Sequence, residues 1–272
     1  MELSLYTTYL LGQDFPSYKE AFSHFYKKGV RYGDIVDCDI EKYPLEEYCR
    51  DLKEAGIVPG SLVCMANIAS FDKEKREKQK SLVKGYIDKM EKLSMNLLMP
   101  APAVNPARSE DEFIKMGAIM IESYREITEY AKKKGITVAI ENQSTLTRPD
   151  SRAEDIRYIL DEIPDLGFVF DIGNFFCIGE DALYAYNLLK DRLVHVHAKD
   201  WVIDPYGDFV RENMPRFGGC VIGNGVLPVR GIMENLRHDS YPGKVTLEIN
   251  SKVITLEMLE KSAEFLRSEI YV

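Results

Sequence analysis

Four apolar runs of this chain each close on an ionisable residue: TVAIE on Glu141, FVFD on Asp171, VHVH on His197 and VTLE on Glu248. Strands rarely carry such side chains, so their recurrence asks for a chemical reason. Side chains alternate across a strand, which makes the arrangement checkable. Glu141 shares a face with Ala139 and Thr137, and Ile140 and Val138 take the other. Asp171 goes with Val169 against Phe168 and Phe170, His197 with His195 against Val194 and Val196, and Glu248 with Thr246 against Val245 and Leu247. Bulky apolar residues thus point one way and the ionisable residues the other. Three converging carboxylates repel one another, and desolvation adds to the cost. One divalent cation removes that problem. Three oxygens and an imidazole nitrogen make a hard, mainly oxygen site, suited first to Mn²⁺, with Mg²⁺, Co²⁺ or Zn²⁺ as other ions for the same donors. Four protein ligands leave about two octahedral positions for adjacent substrate oxygens. The competing explanation is a buried network with Lys or Arg; the shared parity of all four residues favours the metal.

The elements that must position these residues follow a repeating pattern of short apolar strand and longer amphipathic helix. Strands are expected at Leu3–Thr7, Asp34–Asp37, Ser61–Met65, Asn96–Met99, Ile136–Glu141, Phe168–Asp171, Leu193–Lys199 and Val245–Ile249. Between them lie stretches with apolar residues at helical spacing, such as Phe113–Lys134, which Gly135 ends; a last helix is expected over Leu256–Ile270. Eight such units are the count of an α/β (β/α)₈ TIM barrel, which takes about 250 residues, and no linker divides the chain, so residues 1–272 read as a single barrel domain. All four ionisable residues then meet at the C-terminal mouth. The charged run Asp72–Lys80 has mixed signs and reads as a solvated helix face. The segment Trp201–Gly225 lacks periodicity and would lie over the mouth, where long loops often act as lids.

A formal net charge of −9 argues against a phosphate-backbone binder, so no nucleic-acid partner is expected. The five cysteines are scattered, odd in number and without a C-x-x-C pair, so neither a disulfide framework nor a thiolate zinc site is indicated. Reduced thiols, an N-terminus that reads as a strand and the lack of an apolar run of about 18–20 residues point to a soluble cytoplasmic protein without a membrane partner. The expected partner is a small carbohydrate; whether the chain forms a homo-oligomer is left open.

The strings VAIEN (138–142), FVFDIGN (168–174), VHVHAKD (194–200), GNGVLP (223–228) and VTLEI (245–249), in this order and spacing, resemble the xylose isomerase-like barrel superfamily of sugar-phosphate isomerases and epimerases. Ketose 3-epimerases related to tagatose epimerase, hydroxypyruvate isomerases and inosose dehydratases belong to that group. The resemblance covers essentially the whole chain. It implies that Glu141, Asp171, His197 and Glu248 bind one metal and that Glu141 and Glu248 also shuttle protons. Two positions depart from the epimerase pattern. Asn174 stands where a histidine usually follows the strand-six aspartate by three residues, and Ile203 where an arginine follows the metal histidine by six. Both positions contact substrate in those enzymes, so the departures bear on which sugar is taken. The HAKD stretch is closer to isomerase and dehydratase members, which would bring Lys199 to the substrate.

The implied chemistry is epimerisation or aldose–ketose isomerisation beside a carbonyl. A metal on the carbonyl and hydroxyl oxygens stabilises the enediolate, one glutamate removes the proton and a second group returns it. Loss of a β-hydroxyl instead would make the enzyme a dehydratase. Asn142, Asn174, Lys199 and Trp201 are candidate substrate-binding residues, against turn formation for the asparagines, a surface ion pair for Lys199 and packing under the long loop for Trp201. His195, one pleat deeper than His197, reads as a hydrogen-bonded core residue rather than a ligand. Gly223 and Gly225 resemble the family's G-x-G, here a tight turn rather than a phosphate cradle. A related abasic-site endonuclease needs a trinuclear zinc centre rich in histidine, and this chain has only His24, His195, His197 and His238. A non-catalytic sugar- or metal-binding barrel is the remaining alternative.

Overall fold

A computed structural model of the chain describes residues 1–102, 106–211 and 214–271. Eight parallel strands close into a barrel in the order β1-β10-β7-β6-β5-β4-β3-β2. They are β1 (Glu2–Tyr6), β2 (Tyr32–Val36), β3 (Val58–Met65), β4 (Leu97–Ala101), β5 (Thr137–Glu141), β6 (Gly167–Asp171), β7 (Leu193–Ala198) and β10 (Lys244–Leu247); β8 and β9 lie outside the barrel. Closure is made by β1 pairing with β10, Leu3 opposite Val245 and Leu5 opposite Leu247. The bounds expected from sequence differ mostly by one to three residues. Val58–Gly60 extend β3 upstream, and Glu248 stands one residue beyond β10.

Alternation divides the core into two layers. Leu3, Leu5, Ile35, Leu62, Leu98, Val138, Ile140, Phe168, Phe170, Val196, Val245 and Leu247 join the large cluster between strands and helices. Tyr6, Val63, Leu97, Met99, Ala139 and Val169, of the opposite parity, form a separate small cluster inside the barrel. Burying one Leu, Ile or Phe in the outer layer contributes roughly 1.5–3 kcal/mol, so this layer fixes the inward direction of its alternate neighbours. A one-residue slip would turn Glu141 or Asp171 onto the helices.

The helices begin and end on local signals. Ser109 caps the helix Glu110–Lys132 by accepting from the Glu112 amide, while the Glu112 carboxylate accepts from Arg108 N. After it Gly135 turns at φ +70°, where a glycine meets no Cβ penalty. The last helix spans Leu256–Ile270. The charged run Asp72–Lys80 opens the helix Lys73–Leu93, but it is not simply a solvated face. Arg76 and Lys80 are buried, and Lys80 pairs with Glu77 and Glu126.

The connection after β7 also differs from the expected irregular segment. Trp201–Ile203 (β8) and Phe217–Gly219 (β9) form an antiparallel hairpin. Its residues 212–213 lie outside the described ones. Trp201, Phe209 and Phe217 pack edge-on or stacked beneath it, with Phe176 against Phe217. Aromatic burial, invisible to a periodicity count, is what orders this segment. Among the described residues, no helix is long and apolar enough to cross a membrane.

Candidate metal centre

The closed barrel brings the ends of β5, β6, β7 and β10 to one side of the mouth. One ligand atom each from Glu141, Asp171, His197 and Glu248 lies within 4.8 Å of every other. His197 Nδ1 is 2.5 Å from Glu141 Oε1 and 3.4 Å from Glu248 Oε2. The side chains of Asp171 and His197 are almost completely enclosed, at 1% exposure. Those of Glu141 and Glu248 keep 14% and 13%, so the two glutamates are the members that face entering solvent or substrate.

Asp171 divides its two oxygens. Oδ1 accepts from the amides of Gly173 and Asn174, capping the helix Ile172–Ile178. Oδ2 is buried without a hydrogen-bond partner of proper geometry and has only the Lys199 ammonium, 2.6 Å away. Glu248 Oε2 is likewise buried without such a partner, while its Oε1 accepts from Lys199 Nζ at 2.7 Å. Burial, then the neighbouring Glu248 and Glu141, push the Asp171 carboxyl up to about 7 against the opposing pull of Lys199. Burial would keep His197 neutral, but the Glu141 carboxylate raises it to about 9. The ion-pair explanation open at the sequence level is therefore met in part, because Lys199 pairs with two of the four residues.

One ammonium and one imidazolium do not balance three carboxylates, and Asp171 Oδ2 and Glu248 Oε2 are buried without a hydrogen bond of proper geometry. The donor set of three carboxylates and one imidazole, aimed at one point, fits a divalent ion with oxygen and nitrogen preference. Glu141, Asp171, His197 and Glu248 are the residues that would hold it.

The other sequence-level candidates separate in three dimensions. Asn142 is fully buried, its Nδ2 donating to Asp171 O at 3.0 Å and its Oδ1 accepting from Asp171 N at 2.8 Å. Its amide ties β5 to β6 through one N–H and the carbonyl oxygen. Trp201 is 1% exposed, and its indole N–H donates to Gly173 O at 3.0 Å. In this position it packs under the hairpin, the alternative that the sequence left open for it. Asn174 stays half-buried, donates through Nδ2 to Asn142 O at 2.9 Å and places Oδ1 3.5 Å from Lys199 Nζ. Lys199 points into the quartet rather than to the surface.

The G-x-G turn has a specific internal use. Asp200 Oδ2 accepts from the amides of Gly223 and Gly225 at 3.0 and 2.9 Å, and Oδ1 from those of Trp201 and Leu227. A Cβ on Gly225 would stand 2.2 Å from Asp200 Oδ1, so glycine is required by close approach. With these amides occupied by a carboxylate, they do not cradle a phosphate.

Sequence reasoning passed over Tyr6. Its hydroxyl lies 3.3 Å from His197 Nε2, with ring centroids 5.0 Å apart. The signal was present, since Tyr6 shares the inward parity of Ser4 on β1. It also passed over Asp34, whose Oδ2 lies 2.9 Å from His195 Nε2 and accepts from Thr246 Oγ1. His195 therefore sits in a buried polar network below the quartet, its ring edge-on to His197 at 5.3 Å.

Comparison with known proteins agrees with this architecture. A D-psicose 3-epimerase from Clostridium cellulolyticum H10, solved with D-tagatose, superposes with a TM-score of 0.78 at 16% identity, covering 100% of this chain and 99% of that one. The IolI protein with a bound zinc atom gives 0.76 at 16% identity over 99% and 95%. A probable 3-DHS dehydratase, AsbF, from Bacillus anthracis gives 0.77 at 15% identity over 98% and 99%. At such identities the likeness speaks for the fold. No curated protein matches the sequence significantly. The family model described as xylose isomerase-like TIM barrel matches residues 29–269, nearly the whole chain. The chain belongs to the xylose isomerase-like TIM barrel family.

Proposed function

We propose that this protein is a divalent-metal-dependent isomerase or epimerase of a small carbohydrate or sugar phosphate, with Mn²⁺ as the ion. The observation that carries the reading is the convergence of Glu141, Asp171, His197 and Glu248 within 4.8 Å, with the two glutamates alone keeping some exposure. Structural neighbours that include a D-psicose 3-epimerase and a zinc-bound protein support the same class. When bound, the ion supplies Lewis acidity to adjacent carbonyl and hydroxyl oxygens of the sugar.

The chain's own residues do the rest. Glu141 takes the proton from the carbon beside the carbonyl, and Glu248 returns one. Return to the opposite face of the same carbon gives an epimer, and return to the neighbouring carbon an isomer. Asp171 and His197, too enclosed to meet the reacting carbon, would hold the ion with the two glutamates. Asn142 keeps Asp171 in place through its paired hydrogen bonds to the β6 backbone. The Tyr6 ring and hydroxyl limit the rotation of His197.

The test is incubation of the protein with Mn²⁺ in D₂O and a panel of ketoses, aldoses and their phosphates, followed by NMR. Deuterium entry at the carbon next to the carbonyl, lost in Glu141→Gln, is the expected outcome. A broad panel without exchange, although Mn²⁺ binds stoichiometrically, would overturn proton-transfer catalysis.

A further inference from the structure

We propose that Lys199 is a built-in counter-cation of the quartet, which a divalent ion must displace from Asp171 and Glu248 in order to bind. The inference rests on the metal reading above and adds a competitor to it. Lys199 follows His197 by two residues, so it shares the inward parity and sits one pleat nearer the mouth. Its Nζ is 2.6 Å from Asp171 Oδ2 and 2.7 Å from Glu248 Oε1, and its side chain is 3% exposed. The fold houses it deliberately. A Cβ on Gly173 would lie 2.3 Å from Lys199 Cγ and 2.5 Å from Cδ, so this glycine leaves the slot through which the lysine stem passes.

The two oxygens Lys199 holds belong to carboxylates that the quartet would offer to a metal. Three carboxylates can accept a divalent ion or an ammonium at close range. They compete for the same atom: Asp171 Oδ1 is taken by the Gly173 and Asn174 amides, so a metal would bind Oδ2, the oxygen on which Lys199 Nζ rests at 2.6 Å. A monovalent ion offers no charge advantage over the ammonium already there, whereas a divalent ion does. On displacement the ammonium has Asn174 Oδ1, now 3.5 Å away, as an acceptor. Lys199 thereby sets how tightly, and for which charge of ion, the quartet binds.

The experiment is calorimetric titration of the full chain with Mn²⁺, for the wild type, Lys199→Gln, Lys199→Arg and Asp171→Asn. Lys199→Gln is expected to bind Mn²⁺ about tenfold tighter or more, the scale on which groups around a metal site alter its affinity. Lys199→Arg, which keeps the positive charge in a differently shaped head group, should show none of that gain; a gain equal to that of Lys199→Gln overturns the counter-cation role. Asp171→Asn should lose binding. Unchanged or weaker binding by Lys199→Gln, with wild type and Asp171→Asn behaving as stated, overturns the role of Lys199 and leaves the quartet standing. A wild type that binds no Mn²⁺, or an Asp171→Asn that binds as well as it does, overturns the metal reading itself. A second measurement covers a Lys199→Gln chain that does not fold. NMR of the wild type carrying ¹³C-labelled lysine, titrated with diamagnetic Mg²⁺ or Zn²⁺, should shift the Lys199 Cε signal, identified by its loss in Lys199→Arg; a signal unmoved at saturating ion overturns displacement.

Discussion

Inside the barrel, Asp34, His195 and Thr246 form one buried polar group, and Glu141, Asp171, His197 and Glu248 form another one pleat nearer the mouth. In the lower group a single carboxylate faces two donors, Asp34 Oδ2 taking both His195 Nε2 and Thr246 Oγ1, with every member at 0% exposure. In the upper group three carboxylates share one ammonium and one imidazole, and two of the four residues reach the solvent side. The lower arrangement is what a polar network looks like when it serves the fold, since a buried charge with charge-assisted hydrogen bonds holds strands in register. The upper one is destabilising as it stands, because like charges face each other in a poorly solvated place. Proteins retain such a cost where chemistry needs it. Two regions with similar residue types therefore differ in how many carboxylates converge, one below and three above.

The contrast breaks if variants in the two groups behave alike. The largest expected effect is on catalysis. Glu141→Gln and Glu248→Gln should each lower deuterium exchange by about 10³-fold, the scale of a lost general acid or base, whereas Asp171→Asn, which removes the carboxylate whose charge burial and its neighbours disfavour, should leave thermal stability unchanged or higher. A drop in melting temperature paralleling the activity loss would make the upper group structural. Removal of divalent ions with EDTA should abolish exchange, and Mn²⁺ should restore it, while far-UV circular dichroism stays constant. Loss of secondary structure in EDTA would make the ion a folding element.

Lower in the barrel the expected ranking reverses. Asp34→Asn should cost about 2–3 kcal/mol in urea unfolding, the worth of charge-assisted hydrogen bonds to a buried group, and leave exchange within a few-fold of the wild type. A pH series sharpens the assignment by a smaller effect. Burial alone would raise the Asp34 carboxyl, but His195 and Thr246 hold it well below the usual carboxylate range. A depressed folded pKa contributes stability that is fully present above the unfolded value of about 3.9 and is lost as pH falls through the folded one. The gap in urea midpoint between wild type and Asp34→Asn should therefore be constant from pH 7 to about 4 and shrink below that. A gap that closes between pH 7 and 5 would show that Asp34 is not ionised at neutral pH.

The barrel and its quartet were legible because both rest on local periodicity. Alternate residues of TVAIE, FVFD, VHVH and VTLE declare which side faces the helices, and the observed layers follow that parity through Ile140, Phe170, Val196 and Leu247. The same rule applied to β1 would have turned Tyr6 into the barrel, with its contact to His197 left to closure. The partners of Asn142, Trp201 and Lys199 were not legible, because amides, indoles and ammonium groups fit both a site and a packed interior. For Asn142 and Trp201 the structure shows an N–H of each donated to a backbone carbonyl.

By itself, the sequence determined the number and order of the barrel strands, the inward parity of Glu141, Asp171, His197 and Glu248, and the family pattern they carry. A two-residue alternation and a helical period are properties of neighbouring residues, so they need no knowledge of the closed form. Only the tertiary structure decided which polar atoms are matched: Asp34 with His195 across 161 residues, Asp200 with the G-x-G amides, and Lys199 with Asp171 and Glu248. Those pairings exist because closing β1 against β10 brings distant strands around one axis, where desolvation makes every unpaired charge costly and so selects its neighbours.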